Sequence, residues 1–201
     1  MKTRKIFVAL FFISALSGAA AVSAQEITVQ KIVGDVCASC HGVDGNSTQP
    51  EVPNLAGLQS RYLVKQMKDY VAGQRKNDGA TPCGPALNPG GIDGLANYFS
   101  NQNPLPGKSG DATLVVEGKR FYELGNSANE VDDCQECHKP NGGGSGLYPK
   151  VSGQPAAYTL KQMRAFKTRE RSNDKNEVMQ DVAEKMSEQE MRAVAEYLAG
   201  M

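Results

Sequence analysis

The sequence has no tryptophan, only two histidines, and equal numbers of basic and acidic side chains, 22 of each, among 201 residues. Aromatic residues make up 6% of the chain and apolar residues 40%, so side chains alone would build a thin core. The lack of a basic excess excludes nucleic acid as the main partner, because binding phosphate groups requires clustered lysine and arginine. No segment alternates long enough to predict a sheet, and we therefore expect an all-α fold.

The one long apolar run lies at the N-terminus, where residues 1–24 have the pattern of a signal peptide. A basic start is followed by the apolar run Ile6–Leu16 and by small residues that end at Ala24. That run is too short to cross a bilayer core of about 30 Å as a helix. We expect cleavage after Ala24 and a periplasmic, mildly acidic product without a transmembrane anchor; peripheral membrane association stays open.

An internal repeat organises the rest of the chain. Cys37-Ala38-Ser39-Cys40-His41 recurs as Cys134-Gln135-Glu136-Cys137-His138, and further matches follow at a spacing of 96 positions. They pair Pro53–Gly57 with Pro149–Gly153, Tyr62–Met67 with Tyr158–Met163, and Arg75–Asp78 with Arg171–Asp174. The repeat predicts two tandem domains, residues 25–106 and 107–201, which are joined through a turn-rich stretch at 101–107.

Each domain is predicted to be mostly helical. Apolar periodicity predicts helices over Leu58–Val71 and Pro155–Lys167, and shorter helices over Val29–Val36 and Val116–Leu124 that lead toward the two cysteine clusters. In the second domain, Ser187 with Glu190 three residues later predicts a capping box at the start of the last helix. The corresponding helix of the first domain is predicted to begin at Pro89.

The Cys-x-x-Cys-His clusters predict covalent haem attachment. Two thiols three residues apart, Cys37 with Cys40 and Cys134 with Cys137, can form thioethers to the vinyl groups of one haem each, and the adjacent His41 or His138 then reaches the iron. The alternatives are weaker: zinc ribbons pair such motifs about 15–20 residues apart, and a redox dithiol expects a strand–helix context that is absent. We therefore expect two haems c, which would also supply core volume. The loop prolines Pro53 and Pro149 are placed to accept a hydrogen bond from each histidine.

A distal iron ligand is predicted for each haem. In the second domain Met179 is the candidate, in the loop after Asp174, because Met163, Met186 and Met191 are expected to pack in the core and Met201 is terminal. The repeat places Cys83 at the matching position of the first domain, within a loop stiffened by two prolines.

Three interpretations of Cys83 stay open. The first is a thiolate ligand of the first iron, the second a surface thiol or an intermolecular disulfide partner, and the third an inert buried residue. In the second case the first haem would be five-coordinate or bound by a lysine or asparagine. A thiolate would lower the potential of the first haem below that of the methionine-bound second haem.

With these residues in place, the chain resembles the tandem two-haem class I cytochromes c, the cytochrome c4 family. The resemblance covers essentially the whole mature chain and implies two cytochrome c folds that face each other about a pseudo-twofold axis, each wrapped around one haem. It also implies His41 and His138 as proximal ligands, Met179 as a distal ligand, and electron transfer in the periplasm. The departure is Cys83 in place of the expected methionine, and cysteine-ligated haems are a feature of sulfur-oxidising cytochromes such as thiosulfate dehydrogenases.

Three functions follow from these residues. The first is an electron carrier that has no catalytic residues and passes single electrons between a dehydrogenase and an oxidase or another cytochrome. The second is a component of a sulfur-oxidising system that acts on a small anion at the first haem, with Arg61, Lys65, Lys68, Arg75 and Lys76 as the local cations. The third, weaker function is ligand sensing at an open first haem.

Overall fold

The computed structural model describes residues 29–76, 87 and 89–201. Throughout these residues the secondary structure is helical, and only isolated bridges, Asn126 with Val131 and Ser145 with Tyr148, have strand-like pairing. The all-α expectation is therefore confirmed. The predicted signal peptide and the loop that contains Cys83 lie outside the described residues, so the structure bears on neither.

The described part of the first domain contains three helices. Helix α1 runs over residues 29–41, with a π-helical turn at Val33–Cys37 and a final turn at Ala38–His41; α2 is Ser60–Val71 and α3 is Pro89–Ser100. Their apolar faces share one core, in which Leu63 of α2, Val33 of α1 and Phe99 of α3 are buried. The predicted start of α3 at Pro89 is confirmed.

The second domain repeats this plan with additional segments. Its α-helices are α4 (Ala112–Leu124), the short α5 (Gln135–His138), α6 (Ala156–Lys167), α7 (Val178–Lys185) and α8 (Glu188–Gly200). Two 3₁₀ turns lie between them, Ser127–Asn129 before α5 and Lys175–Glu177 before α7. The predicted capping box is present: the Ser187 hydroxyl accepts from the Glu190 amide, and the Glu190 carboxylate accepts from the Ser187 amide. Helix α7 and the short helix α5 were not predicted by the apolar pattern.

Helices α4 and α8 cross closely because of a glycine at the contact. A Cβ atom on Gly118 would lie 1.9 Å from the carbonyl oxygen of Ala193, far inside any van der Waals contact. The crossing closes a second core, formed around the fully buried Tyr122 and Met191. Since no residue is common to the two cores, each domain has an apolar interior of its own.

The segment between the domains is fixed to the first one. Asn46, which is buried, donates from its side-chain amide to the Asn103 carbonyl and accepts from the Leu105 amide. At the far end, a Cβ on Gly107 would lie 1.9 Å from the Ala199 carbonyl oxygen, so the chain passes tightly against α8. The connection is therefore short and held at both ends.

Candidate functional site

The first Cys-x-x-Cys-His cluster occupies the last two turns of α1. Burial lowers the pKa of His41, and its hydrogen bond to Pro53 offsets this only in part, so the ring is held neutral. The His41 Nδ1 atom lies 2.9 Å from the Pro53 carbonyl oxygen. Because a carbonyl can only accept, Nδ1 carries the proton, and the lone pair of Nε2 is left for a metal ion.

The second cluster has the same local geometry, built from different neighbours. His138 is 9% exposed, burial lowers its pKa, and its Nδ1 atom lies 2.9 Å from the Pro149 carbonyl oxygen. The Cys134 amide donates to the Tyr122 carbonyl at the end of α4, which places α5 beside that helix. The expected proline acceptors, Pro53 and Pro149, are thus present at both histidines.

The residue after each histidine adopts the same unusual backbone conformation. Gly42 has φ 74° and ψ 157°, and Lys139 has φ 70° and ψ 154°. Glycine reaches this region freely, whereas a lysine there is strained by about 1–3 kcal/mol. The second domain therefore keeps the backbone path of the first at the expense of local strain beside its histidine.

The four described cysteines suit thioether formation better than metal thiolate chemistry. None is in a disulfide, Cys37 is buried, and the other three are partly buried. Burial, followed by the negative charge of Asp133, raises the pKa of the Cys134 thiol to about 12, so a thiolate is disfavoured there. Over the described ranges no group of three or more His, Cys, Asp or Glu side chains could hold a metal ion. One histidine beside two thiols in each domain fits a haem c.

The structure places Met179 in a helix, which corrects the expectation of a loop. It is the second residue of α7, and its amide donates to the Asp174 carboxylate at 2.7 Å. Two consecutive left-handed residues, Asn176 and Glu177, turn the chain just before it. Asp174 also accepts from the Gln180 amide and side chain and so caps the start of the helix.

The other methionines of the second domain lie in the core. Met163, Met186 and Met191 are buried, as expected. Met201 packs against the same core rather than fraying, which corrects its description as a free terminus. Met179 is half-buried and belongs to neither core cluster, so it is left as the distal ligand candidate.

Two arginines at equivalent repeat positions fill the interface between the domains. Arg75 is 7% exposed; it donates to Gln66 in its own domain and to Tyr158 and Gln162 in the other. Arg171 donates to Gln162 in its own domain and to Tyr62 and Gln66 across the interface. Helices α2 and α6, which carry these acceptors, therefore face each other with pseudo-twofold symmetry.

These arginines bring positive charge into the interface, where their hydrogen-bond partners are neutral side chains. Within the described part of the chain, no carboxylate lies within ion-pairing distance of Arg75 or Arg171. The sequence analysis gave Arg75 as a cation that would attract an anion at the first haem, and it missed this role at the interface. The signal that could have revealed it is the recurrence of Tyr62, Gln66 and Arg75 in the second repeat, since polar residues kept in register suit a symmetric contact.

This chain is similar to known cytochromes in sequence and in structure. The family model for cytochrome c matches residues 28–102 and again 115–201. A cytochrome c4 from Azotobacter vinelandii is 38% identical over 83% of this chain and 84% of its own length. The crystal structure of reduced recombinant cytochrome c4 from Pseudomonas stutzeri superposes with a TM-score of 0.78 at 36% identity, covering 88% of this chain and 98% of that one.

A further relative has a name that specifies a partner. The thiosulfate dehydrogenase electron acceptor of Stutzerimonas stutzeri (strain A1501) is 35% identical over 82% of this chain and 78% of its own length.

Proposed function

This chain belongs to the cytochrome c family and to its two-haem cytochrome c4 members, and on that basis we propose that it carries single electrons in the periplasm between a dehydrogenase and a terminal oxidase or another cytochrome. It is a dihaem electron-transfer protein with two covalently attached haems c. The observation that supports the assignment of ligands is the pair of imidazoles, the half-buried His41 and the buried His138, each oriented by a proline carbonyl. Bound haem c supplies an iron that gains and loses one electron.

The cysteines would attach each haem, and the histidines and a distal residue would bind its iron. Cys37 and Cys40 would anchor one haem and Cys134 and Cys137 the other, while the histidines present Nε2 to the iron. Met179, held at the start of α7 by Asp174, would supply the distal sulfur in the second domain. Cys83 remains the candidate distal ligand of the first domain, and all three interpretations of it remain to be tested.

The interface provides an environment for electron exchange between the domains. Arg75 and Arg171 place two positive charges between them. The hydrogen bonds across the interface hold α2 and α6 in one arrangement. The two domains, each of which would hold one haem, would therefore keep a fixed arrangement during electron transfer.

Export to the periplasm is part of the proposal. Within the described residues, no helix is sufficiently long and apolar to cross a membrane. Mass spectrometry of the exported protein should give a chain that begins at Gln25 and carries two haems. A product that retains residues 1–24 would contradict cleavage after Ala24.

Electron transfer is tested by redox titration of the holoprotein and by rapid mixing with partners. We expect two one-electron steps and reduction by a periplasmic dehydrogenase faster than any turnover of a small substrate. A single redox step, or only one haem per chain, would contradict the proposal.

A second candidate function is a role in sulfur oxidation, favoured by the relative that accepts electrons from thiosulfate dehydrogenase. In that role this chain would receive electrons from the enzyme. Direct oxidation of a sulfur anion at the first haem has less support, because two of the cations expected to attract the anion have other contacts. Arg75 is buried in the interface, and Lys65 contacts Asp69 and the Asn173 carbonyl.

Turnover of thiosulfate with an artificial electron acceptor separates the two roles. An electron acceptor shows turnover only when thiosulfate dehydrogenase is added. Turnover by the chain alone that disappears in Cys83→Ala and survives in Met179→Ala would show that it is itself the enzyme.

A further inference from the structure

A glutamine from each domain contacts the peptide group that holds the histidine of the other domain. We infer that Gln154 and Gln59 are positioning residues that tune the iron-binding histidine across the interface, His41 and His138 respectively. This inference rests on the proposed function, because it takes the two histidines as iron ligands.

In the first domain, the connection is a continuous chain of hydrogen bonds. The Nδ1–H group of His41 donates to the Pro53 carbonyl at 2.9 Å, and the Asn54 amide, which belongs to the same peptide group, donates to Gln154 Oε1 at 3.0 Å. Gln154 is 6% exposed, and its Nε2 donates to the Asn54 carbonyl at 2.7 Å. The Asn54 side chain in turn donates to the Gly153 carbonyl at 2.8 Å. Both backbone groups of Asn54 are thus held by the opposite domain.

The second domain has the reciprocal connection. His138 Nδ1–H donates to the Pro149 carbonyl at 2.9 Å, and the Lys150 amide of that peptide group donates to Gln59 Oε1 at 3.0 Å. The Gln59 Nε2 atom donates to the Gly143 carbonyl at 2.6 Å. Each histidine is therefore two hydrogen bonds and one peptide group away from a side chain of the other domain.

The two glutamines do not occupy equivalent repeat positions. At the 96-residue spacing, Gln59 aligns with Pro155, and Gln154 aligns with Leu58. The same connection is thus made by different residues in the two directions. A comparison of the two repeats by sequence could not reveal this reciprocal connection. The contacts show it, because the two glutamines bind equivalent peptide groups, Pro53–Asn54 and Pro149–Lys150.

Each glutamine acts on the histidine by polarising the peptide group that lies between them. An acceptor on the amide polarises the peptide group and makes its carbonyl a stronger acceptor, since hydrogen bonds in a chain strengthen one another. A stronger bond from the carbonyl to Nδ1–H makes the imidazole a more basic ligand. A more basic ligand favours ferric iron and lowers the potential. Docking of one domain therefore lowers the potential of the haem in the other.

The test uses Gln154→Leu and Gln59→Leu in the holoprotein. Leucine has a similar volume and leaves the peptide amide without its acceptor. A redox titration followed by NMR resolves the signals of the two haems separately. We expect Gln154→Leu to raise the potential of the first haem alone and Gln59→Leu to raise that of the second alone.

Two further variants separate this tuning from general loosening of the interface. Gln154→Glu retains an oxygen acceptor for the Asn54 amide, so it should not raise the potential of the first haem. Gln162→Leu removes an acceptor of both interface arginines but touches neither proline peptide, so it should not reproduce the one-sided shift.

A second measurement follows the hydrogen bond itself. In the reduced, diamagnetic protein, the Nδ1–H proton of His41 should move upfield in Gln154→Leu and stay in place in Gln59→Leu. Equal shifts at both haems, a shift in the domain that carries the substitution, or no shift would overturn the inference. Failure of the proposed function would instead be visible in the wild-type protein, as the absence of two one-electron steps.

Discussion

The strained residue after the second histidine gives a prediction that can be worked out from the backbone. Lys139 has φ 70° and ψ 154°, a conformation that costs a non-glycine residue about 1–3 kcal/mol. Glycine would relieve this strain but adds unfolded-state entropy worth about 0.4–1 kcal/mol. The lysine side chain is exposed, so its removal loses no packing. We therefore expect Lys139→Gly to raise the free energy of unfolding of the second domain by about 1 kcal/mol.

The matched control for this change is Lys139→Ala. Alanine removes the same charge and side chain but keeps the Cβ atom that causes the strain, so stability should stay within about 0.5 kcal/mol of wild type. The opposite exchange, Gly42→Lys, should destabilise the first domain, because its Cβ would lie 2.6 Å from the Asn46 carbonyl oxygen.

The assay is urea unfolding of the holoprotein followed by circular dichroism, with hydrogen exchange of core amides to assign each transition to a domain. In thermal unfolding, a gain of 1 kcal/mol should appear as an increase in Tm of about 4–8 °C for a domain of this size. If Lys139→Ala stabilises the protein as much as Lys139→Gly, backbone conformation is not the cause and the reasoning is refuted.

Three further predictions concern the second domain. Gly118→Ala should destabilise it by about 1–3 kcal/mol, measured by urea unfolding, because the new Cβ would meet the Ala193 carbonyl at 1.9 Å. Burial raises the pKa of Glu190, but hydrogen bonds, first that from the Ser187 amide, outweigh it and the net pKa is lowered. Ionised Glu190 therefore stabilises the folded second domain above the unfolded pKa of about 4.3, and this stabilisation is lost as the pH falls through the lowered folded pKa. The pH dependence of the free energy of unfolding in Glu190→Gln should lack this contribution. Met179→Ala should convert one ferric haem from low spin to high spin in electron paramagnetic resonance spectra.

Two of these changes have controls at residues of the same type elsewhere in the chain. Gly34→Ala, where a Cβ would meet nothing within 4 Å, should not destabilise the first domain. Met163→Leu, a core change of similar volume, should leave both haem spectra unchanged, and a high-spin signal in that variant would contradict the assignment of Met179.

The features that the sequence predicted well depend on residues close together in the chain. The capping box needs only Ser187 and Glu190, three residues apart. The hydrogen bond from His41 to Pro53 spans twelve positions and follows from a loop that returns to the helix end. Helix periodicity likewise predicted α2 and α6 to within two residues of their observed starts.

The features that it missed have a weak local pattern or depend on contacts between the domains. Helix α7 has only eight residues and begins after two left-handed residues, so apolar periodicity over so short a segment did not reveal it. An arginine usually lies at the protein surface, and Arg75 is buried because the second domain packs against it. A charged side chain is consistent with either environment until its partners are known.

The short tether between the domains has a thermodynamic consequence. The contacts across the interface are largely polar, and such surfaces typically form weak complexes between separate molecules. A connection of a few residues gives one domain an effective concentration in the millimolar range at the other. An intrinsic dissociation constant below about 1 mM, which corresponds to a binding free energy of about 4 kcal/mol, therefore suffices to keep the two domains associated. Because Asn46 and α8 fix the two ends of the connection, part of the orientational entropy of association is already lost in the covalent chain.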